Sequence, residues 1–294
     1  MRRPSSLLPF VAALLLATTA SADPAPFEPR GTWTASEHRR QDKTLHLQLR
    51  QGVSHNMGLS EPVASFQGLS LAGGPTTFTL PREAGTFYFE GQFLEGQGAG
   101  HFRFDASAAF AKTLATLGYP DLTPRAQFQL AATNVTSRRV QELATLGYKQ
   151  LSLDELLQVG IFQVTPEYVR AMSDAGYTGL KFEQLVEGRI HQLTPERVKA
   201  LAGAGFAKLS WKQLMEMSIH GVTPEFVKQM RELGFQDLTR EQALAFRIHR
   251  VTPEFVKQMR EAGYTRLTAD ELVTLRIHGI DSVFIRAMSE NPRK

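Results

Sequence analysis

Five basic side chains recur at a fixed step of 29 residues in the C-terminal part of the chain. They are Arg170, Lys199, Lys228, Lys257 and Arg286. If they lie on one face, these cations would attract an acidic protein, an anionic lipid head group or a phosphate. The first four also follow a glutamate by three residues, and on a helix such pairs neutralise each other. The sequence leaves both the binding role and the pairing role open.

Four histidines recur at the same step, and three of them stand in the tripeptide Arg-Ile-His. They are His191, His220, His249 and His278. Packed helices lie about 8–10 Å apart, so histidines of neighbouring repeats are too distant to share one metal ion. We therefore predict no metal site. A pH-responsive surface is one role for this column. A cation that stabilises a helix C-terminus is the other.

The step of 29 residues is the length of one complete structural unit. Val-Thr-Pro-Glu or a variant of it opens each unit, and a glycine followed by an aromatic residue recurs at its centre. A fixed period of this length is typical of solenoid proteins. Repeats are predicted to start near residues 106, 135, 164, 193, 222 and 251, with a half-repeat from residue 280.

The first half of each repeat predicts a short helix. In the fifth repeat Thr223 is a good N-cap, and Pro224 stands where a missing N–H has no consequence. Gly234 is suited to the left-handed residue that ends a helix, and Phe235 is the apolar residue that commonly follows it.

The second half predicts another helix. Thr239 and Gln242 form a capping box, which marks its start. Leu244 and Ile248, four residues apart, are expected to point inward, and the helix is expected to end near His249. One such hairpin cannot bury its own apolar stripe, so neighbouring hairpins must stack into an α-solenoid.

Residues 31–105 show a period of two instead. Leu45, Leu47 and Leu49 alternate with polar residues, as in a half-buried strand. Paired phenylalanines and a glycine-rich stretch continue this pattern. We predict a small antiparallel β-domain of about six strands, either a sandwich or a strongly curved sheet, with Trp33 on its core face.

The polar stretch 54–58, together with Ser60 and Glu61, is predicted to be an inter-strand loop, with ligand binding as its alternative role. A hydrolase site around His38, His46 and His55 is a further alternative for this domain.

The N-terminus has the pattern of a secretory signal peptide. Arg2 and Arg3 precede an apolar stretch, and Ala-Ser-Ala at 20–22 is a signal-peptidase site. Cleavage between Ala22 and Asp23 would release the protein into the periplasm or outside the cell, with residues 23–30 as a flexible Pro-rich leader. The rest of the chain contains no stretch long and apolar enough to span a membrane.

The composition disfavours catalysis and nucleic-acid binding. The chain has no cysteine, which excludes thiolate chemistry, and it lacks the His-Glu-x-x-His, Gly-x-Ser-x-Gly and phosphate-loop motifs. Removing Arg2 and Arg3 lowers the formal net charge from +4 to +2. A nucleic-acid-binding repeat protein remains an alternative, but this charge and the signal peptide oppose it. No enzyme activity and no cofactor are predicted.

Residues 247–256, Arg-Ile-His-Arg-Val-Thr-Pro-Glu-Phe-Val, resemble tandem repeats of exported bacterial proteins of unknown function. The segments 82–87 and 98–102 look like the β-module of the same proteins. Similar segments form the extracytoplasmic tail of membrane metallopeptidases of the β-lactam-sensor antirepressor type. This resemblance covers most of residues 31–290. It implies envelope sensing or binding, and it carries over no catalytic residue, because the peptidase's zinc motif and membrane helices are missing.

The sequence thus predicts an α+β protein in which an antiparallel β-domain, residues 31–105, precedes an α-solenoid, residues 106–294. The expected function is noncatalytic binding of a protein or an anionic envelope component. The basic column would supply the contacts, and the histidine column would make them sensitive to pH.

Overall fold

The structure is a computed structural model that describes residues 27–38, 44–52 and 55–290. The predicted signal peptide and its cleavage site lie outside the described residues, as does the first half of the predicted leader.

Six antiparallel strands in the described residues form one sheet, with the spatial order β3-β2-β1-β6-β5-β4. The strands are β1 (Arg30–His38), β2 (Thr44–Gln51), β3 (His55–Pro62), β4 (Gly74–Arg82), β5 (Gly85–Leu94) and β6 (Gln97–Ala106). The predicted number of strands is confirmed, and the architecture is a curled sheet rather than a sandwich.

Trp33 lies on the core face, as predicted, and is 1% exposed. Its indole Nε1 donates a hydrogen bond to the carbonyl of Glu90, at 3.2 Å. Glycines make room for the ring: a Cβ at Gly91 or at Gly98 would come within 2.8 Å of it. The glycine-rich pattern in this part of the sequence therefore serves the packing of the core.

The two edges of the sheet meet. Glu61 on edge strand β3 forms an ion pair with Arg82 on edge strand β4, at 2.5 Å, and both side chains are largely buried. Beside this pair, Gln67 and Thr79 exchange two backbone hydrogen bonds of 2.9 Å. Because β3 and β4 are the outermost strands, these contacts require the sheet to curl back on itself.

The prediction of an inter-strand loop at residues 54–58 with Ser60 and Glu61 is wrong from His55 onward, because β3 begins there and pairs with β2 over its whole length, while Ser54 lies outside the described residues. In this strand Leu59 is buried, whereas Asn56 and Ser60 are exposed. Edge strands carry fewer apolar residues than central ones, so the alternation in this segment is too weak to read from sequence.

Thirteen helices of nine residues each follow in the described residues. The first helices of successive repeats are α1 (Ala108–Thr116), α3 (Ser137–Thr145), α5 (Pro166–Asp174), α7 (Pro195–Gly203), α9 (Pro224–Glu232), α11 (Pro253–Glu261) and α13 (Ser282–Glu290). The second helices are α2 (Pro124–Ala132), α4 (Leu153–Ile161), α6 (Phe182–Ile190), α8 (Trp211–Ile219), α10 (Arg240–Ile248) and α12 (Ala269–Ile277). Every helix starts 29 residues after its counterpart, which confirms the predicted repeat. No helix of the described residues has the length and apolar character needed to cross a membrane.

The predicted helix caps are present. The Thr223 hydroxyl accepts a hydrogen bond from the Phe226 N–H at 3.1 Å, which fixes the start of α9. At its end Gly234 has a φ of +92°, and the Phe235 N–H donates to the Met230 carbonyl at 3.1 Å. These contacts satisfy backbone groups that would otherwise be unpaired at both helix ends.

The arginine of Arg-Ile-His connects neighbouring repeats. Arg247 donates from Nε to the His220 carbonyl at 3.2 Å and places its guanidinium 5.1 Å from the centre of the Phe226 ring. Arg189 and Arg276 make equivalent contacts in their own repeats. These arginines therefore bind the carbonyl end of the preceding second helix, where a cation is electrostatically favoured.

The turns after the second helices allow a stability test. Gln192 has a φ of +53°, a region that L-residues rarely adopt, whereas the equivalent residue of the next repeat is Gly221. We expect Gln192→Gly to stabilise the protein by about 0.5 kcal/mol, because relief of strain exceeds the entropy that glycine adds to the unfolded chain. Urea unfolding measures this change. Gly221→Ala is the matched control and should destabilise; a loss of stability in Gln192→Gly would contradict the strain argument.

The sheet and the solenoid share one hydrophobic core. Phe128 of α2 lies 5.3 Å from Phe87 and 5.4 Å from Phe104 between ring centres, and both of these rings belong to the sheet. Glu83, in the turn between β4 and β5, accepts a hydrogen bond from the Ser137 N–H at the start of α3, at 2.9 Å. The β-domain thereby contacts both the first and the second hairpin.

Candidate interaction surface

The helices of the solenoid form two layers. The first helices pack on one another from α1 to α3, α5, α7, α9 and α11, and among the second helices α2 packs on α4 and α10 on α12. Residues at the same position of successive repeats therefore form rows that run along the solenoid. An exposed side chain that recurs in every repeat therefore belongs to a row on the surface.

The last residue of each second helix from α4 onward is an exposed isoleucine. We call this row the isoleucine ladder: Ile161, Ile190, Ile219, Ile248 and Ile277, which are 60%, 51%, 53%, 51% and 57% exposed. Four other large apolar residues of the described chain are comparably exposed: Leu94, Tyr264, Val283 and Phe284. The ladder is thus the main regular apolar feature of this surface.

The ladder corrects the predicted inward orientation of Ile248. Phe246, two residues earlier, is fully buried. Two residues span about 200° of a helix, so Ile248 must point away from the core. Val251, directly after the turn, is also fully buried and completes the inner face. Leu244 is partly buried and packs against the core, as predicted, whereas the fully buried positions are those of Phe246 and Val251.

A row of charged residues runs beside the ladder, seven residues earlier on the same helices. We call it the carboxylate row: Asp154, Glu183, Glu241 and Asp270, with Lys212 at its middle position. All five side chains are exposed. Seven residues are two helical turns, so each of these groups lies about 10.5 Å from the isoleucine of its own helix, on the same face.

The carboxylates of this row also stand at helix starts. The pKa of Glu241 is lowered by its own backbone N–H, which bonds the carboxylate at the start of α10, and by the nearby guanidinium of Arg240. Glu241 forms an ion pair with Arg240 at 2.7 Å. For Asp154, Glu183 and Asp270 no ion pair within 4.0 Å involves a described partner. Three charges of the row are therefore available to a cation.

The histidine column lies directly beside the ladder. His191, His220, His249 and His278 are the C-cap residues of α6, α8, α10 and α12. Their side chains are exposed or half-exposed. Among the described residues no group of three or more His, Asp or Glu side chains could hold a metal ion. The column therefore has the predicted position at helix C-termini, and its pH response stays a prediction.

The basic column is exposed, but carboxylates interrupt it. Arg170 lies 3.6 Å from Glu142 and 3.9 Å from Glu167. Lys228 lies 4.0 Å from Glu232. The predicted i,i+3 pairing is thus seen within 4.0 Å at Arg170, and Lys228 pairs at i,i+4 instead. The remaining members, Lys199, Lys257 and Arg286, are exposed on α7, α11 and α13.

Two of the glutamates that precede the basic column, Glu167 and Glu196, interact with the starts of their own helices. The pKa of Glu196 is lowered first by its own backbone N–H and by the Thr194 hydroxyl, and to a smaller extent by Lys199. The pKa of Glu167 is lowered by the equivalent groups. Acidic side chains thus flank the cations on the first helices. This alternation does not provide the continuous positive face that tracking a phosphate backbone requires.

The strand register separates two histidines of the β-domain, His46 and His55. His46 lies on the outer face of β2, with its Nδ1 2.7 Å from the Ser60 hydroxyl. His55 pairs with Gln51, five residues further along β2, which is about 17 Å in a strand. The side chains of His38 and His55 lie outside the described ones. The hydrolase site suggested as an alternative around these histidines stays a prediction.

The outer face of the sheet carries a polar row that the sequence analysis did not single out. Thr32, His101, Glu90 and Thr77 stand directly opposite one another on β1, β6, β5 and β4. They line an open groove of about 550 Å³. Strand pairing alone brings these residues together, so the signal was not visible before the register was known.

Comparison with known proteins does not identify a family for this chain. No family model matches the chain, and no curated protein matches it. The surface itself therefore carries the functional argument.

Proposed function

We propose that this chain is an exported, noncatalytic binding protein that acts in the periplasm or outside the cell and recognises a protein of the cell envelope through the isoleucine ladder. Envelope sensing is the role in which such a module would operate. The proposal keeps the binding function predicted from sequence, but it moves the main contact surface from the first helices to the second helices.

The exposed ladder is the observation that carries this proposal. Each isoleucine leaves at least half of its surface in water. Exposed apolar residues scattered singly are ordinary. Here the same residue type is exposed at the same position of five successive repeats, beside a row of charged residues. The caps, the glycine turns and the Arg-Ile-His arginines all have structural roles, but the described contacts give the isoleucine side chains none.

The two predicted columns become secondary in this proposal. The histidines border the ladder, so the pH response predicted for them would act beside a bound partner. The basic column lies on the first helices and contributes to steering an acidic partner rather than to its main contacts.

A ladder variant tests the function. We expect Ile190→Ser, Ile219→Ser and Ile248→Ser, combined in one chain, to lose the envelope proteins that the wild-type chain captures, because each substitution removes an apolar contact worth about 1–2 kcal/mol. Quantitative mass spectrometry of the captured proteins measures this loss.

Two control variants distinguish the ladder from the other exposed surfaces of the chain. Leu94→Ser removes an exposed apolar side chain of the β-domain, and the triple charge reversal Lys199→Glu, Lys228→Glu and Lys257→Glu changes the first helices. Both should retain the partners. If the ladder variant retained every partner while the charge reversal lost them, the proposed contact surface would be wrong.

Export has its own test. The chain produced from its full sequence in a bacterial host should yield a mature protein that starts at Asp23, found in the periplasmic fraction or the medium. The intact mass of the purified protein measures the cleavage site. Uncleaved protein retained in the cytoplasm would contradict export.

A further inference from the structure

We propose that the groove between the second and the third repeat binds the guanidinium group of an arginine that belongs to a partner protein. The chain itself shows what such a groove accepts, because Arg260 fills the equivalent groove between the fifth and the sixth repeat. The open groove lies at the start of the second helix α6, whereas the isoleucine ladder lies at the ends of the second helices. The two surfaces are distinct, so binding in the groove does not depend on the proposed role of the ladder.

The two grooves are built from equivalent residues. Five side chains that line the groove between the fifth and the sixth repeat are Phe235, Val256, Tyr264, Leu267 and Leu272. Three repeats earlier the same positions line the groove between the second and the third repeat, as Tyr148, Val169, Tyr177, Leu180 and Leu185. The walls of the two grooves are therefore alike in position and in chemistry.

The side chain that fills the groove differs between the two places. With Arg260 in its lining, the groove between the fifth and the sixth repeat keeps a cavity of only about 10 Å³. Ser173 stands at this position in the third repeat, and the cavity there measures about 190 Å³. A short side chain thus leaves open the space that an arginine side chain takes three repeats later.

The filled grooves show how a guanidinium is held. The Nη2 of Arg260 donates a hydrogen bond to the carbonyl of Leu233, the C-cap residue of α9. In the preceding groove, the Nη2 of Arg231 lies 2.9 Å from the place that a Cβ on Gly205 would take, directly after the end of α7. The carbonyl end of a helix carries partial negative charge, so a cation is favoured in both places.

The groups that would receive a guanidinium are present in the open groove. Leu146 is the C-cap residue of α3, equivalent to Leu233, and none of the hydrogen bonds among the described residues reaches its carbonyl. The hydroxyls of Tyr148 and Tyr177 donate instead to carbonyls of the next repeat, at 2.7 Å and 2.9 Å. Asp174 also lines the cavity, and no ion pair within 4.0 Å joins it to a described partner.

The shape of this acceptor set favours a guanidinium over an ammonium group. A planar guanidinium can donate from different edges to a carbonyl and to a carboxylate while its face lies against an aromatic ring. In this chain the guanidinium of Arg189 lies in this way 5.1 Å from the centre of the Tyr168 ring. The fourth repeat has Ala202 and Gly203 at the positions of Ser173 and Asp174, so it lacks the carboxylate.

The other charged residue of the cavity favours an arginine within a protein over free arginine. Arg170 lines the cavity, but its guanidinium is already held by Glu142 at 3.6 Å and by Glu167 at 3.9 Å. The cavity therefore offers a carboxylate for a guanidinium, whereas its cation is engaged and is not left for the α-carboxylate of a free amino acid.

Saturation-transfer NMR with small probes tests the proposal on the full chain. The probe is N-acetyl-arginine methylamide, which presents an arginine as it occurs within a protein. We expect its signal with the wild-type chain to exceed that of N-acetyl-lysine methylamide about fivefold, because the lysine analogue cannot donate from a planar fork. Equal signals from the two analogues would overturn the proposal. A stronger signal from free arginine would overturn the assignment to a protein partner.

Variants locate the bound probe. Ser173→Arg should fill the groove as Arg260 does and abolish the signal, and Asp174→Asn should reduce it about fivefold. Glu261→Gln changes the equivalent acid beside the filled groove and is the matched control, which should keep the wild-type signal. Arg260→Ser should open a second site and raise the signal. Thermal unfolding checks that each variant is folded. A full signal from folded Ser173→Arg, or an equal loss in Glu261→Gln and Asp174→Asn, would overturn the assignment of the groove.

Discussion

Phe128→Ala is expected to destabilise the protein by about 3–5 kcal/mol, the usual effect of removing a buried phenylalanine ring from a core. Phe128 is 2% exposed and packs against rings of the sheet and against Phe27. The substitution leaves a cavity where the first hairpin meets the β-domain. It should therefore weaken the connection between the two parts as well as their stability.

Chemical denaturation followed by tryptophan fluorescence measures both effects. Trp33 reports on the sheet and Trp211 on the solenoid, so each single-tryptophan variant follows one part. The Phe128→Ala variant should separate the two transitions. Phe284→Ala, at a half-exposed ring of α13, is the matched control and should change little. If the sheet and the solenoid of the variant still unfolded together, at the same denaturant concentration as in the wild-type chain, the junction at Phe128 would not couple the two parts.

Arg82→Ala is expected to destabilise the sheet by about 3–5 kcal/mol, because it leaves the largely buried carboxylate of Glu61 without its partner. The side chains of Arg82 and Glu61 are only 9% and 16% exposed, and the Nε of Arg82 has no hydrogen-bond partner in the described residues. The double variant Arg82→Met with Glu61→Leu should recover most of this loss, since it removes both buried charges together.

Thermal unfolding of the single and double variants tests this prediction. Arg103→Ala removes the guanidinium of an exposed ion pair with Asp105 on the outer face, and it should leave the unfolding temperature nearly unchanged. If Arg82→Ala behaved like Arg103→Ala, the ion pair would not hold the edges of the sheet together.

The sequence was most informative about the helical repeats. Threonine caps, the prolines after them and glycine turns act within a few residues, so their effect can be read without a tertiary structure. The start at Thr223, the turn at Gly234 and the capping box at Thr239 are all confirmed.

Features that depend on distant parts of the chain were missed. Whether Ile248 points inward depends on how neighbouring hairpins stack, and the approach of Glu61 to Arg82 depends on the curl of the whole sheet. The edge strand β3 has too little apolar alternation to be recognised alone. Tertiary packing determines each of these three features. Short-range sequence patterns carry no information about that packing.

In the candidate site, too, some features were visible in the sequence and others depended on tertiary packing. The basic and histidine columns were visible because recurrence every 29 residues can be counted directly. The isoleucine ladder recurs at the same step, but apolar residues on a helix are ordinarily assigned to the core. Only the exposure of those side chains in the structure identified them as a surface.

Site-specific photocrosslinking tests the ladder most directly. A photoreactive amino acid placed at Ile219, within the ladder, and at Lys228, on the first-helix face, compares the two surfaces in the full chain. Crosslinking to an envelope protein should be strong from position 219 and weak from position 228. Strong crosslinking from position 228 with none from position 219 would contradict the assignment of the ladder as the binding surface.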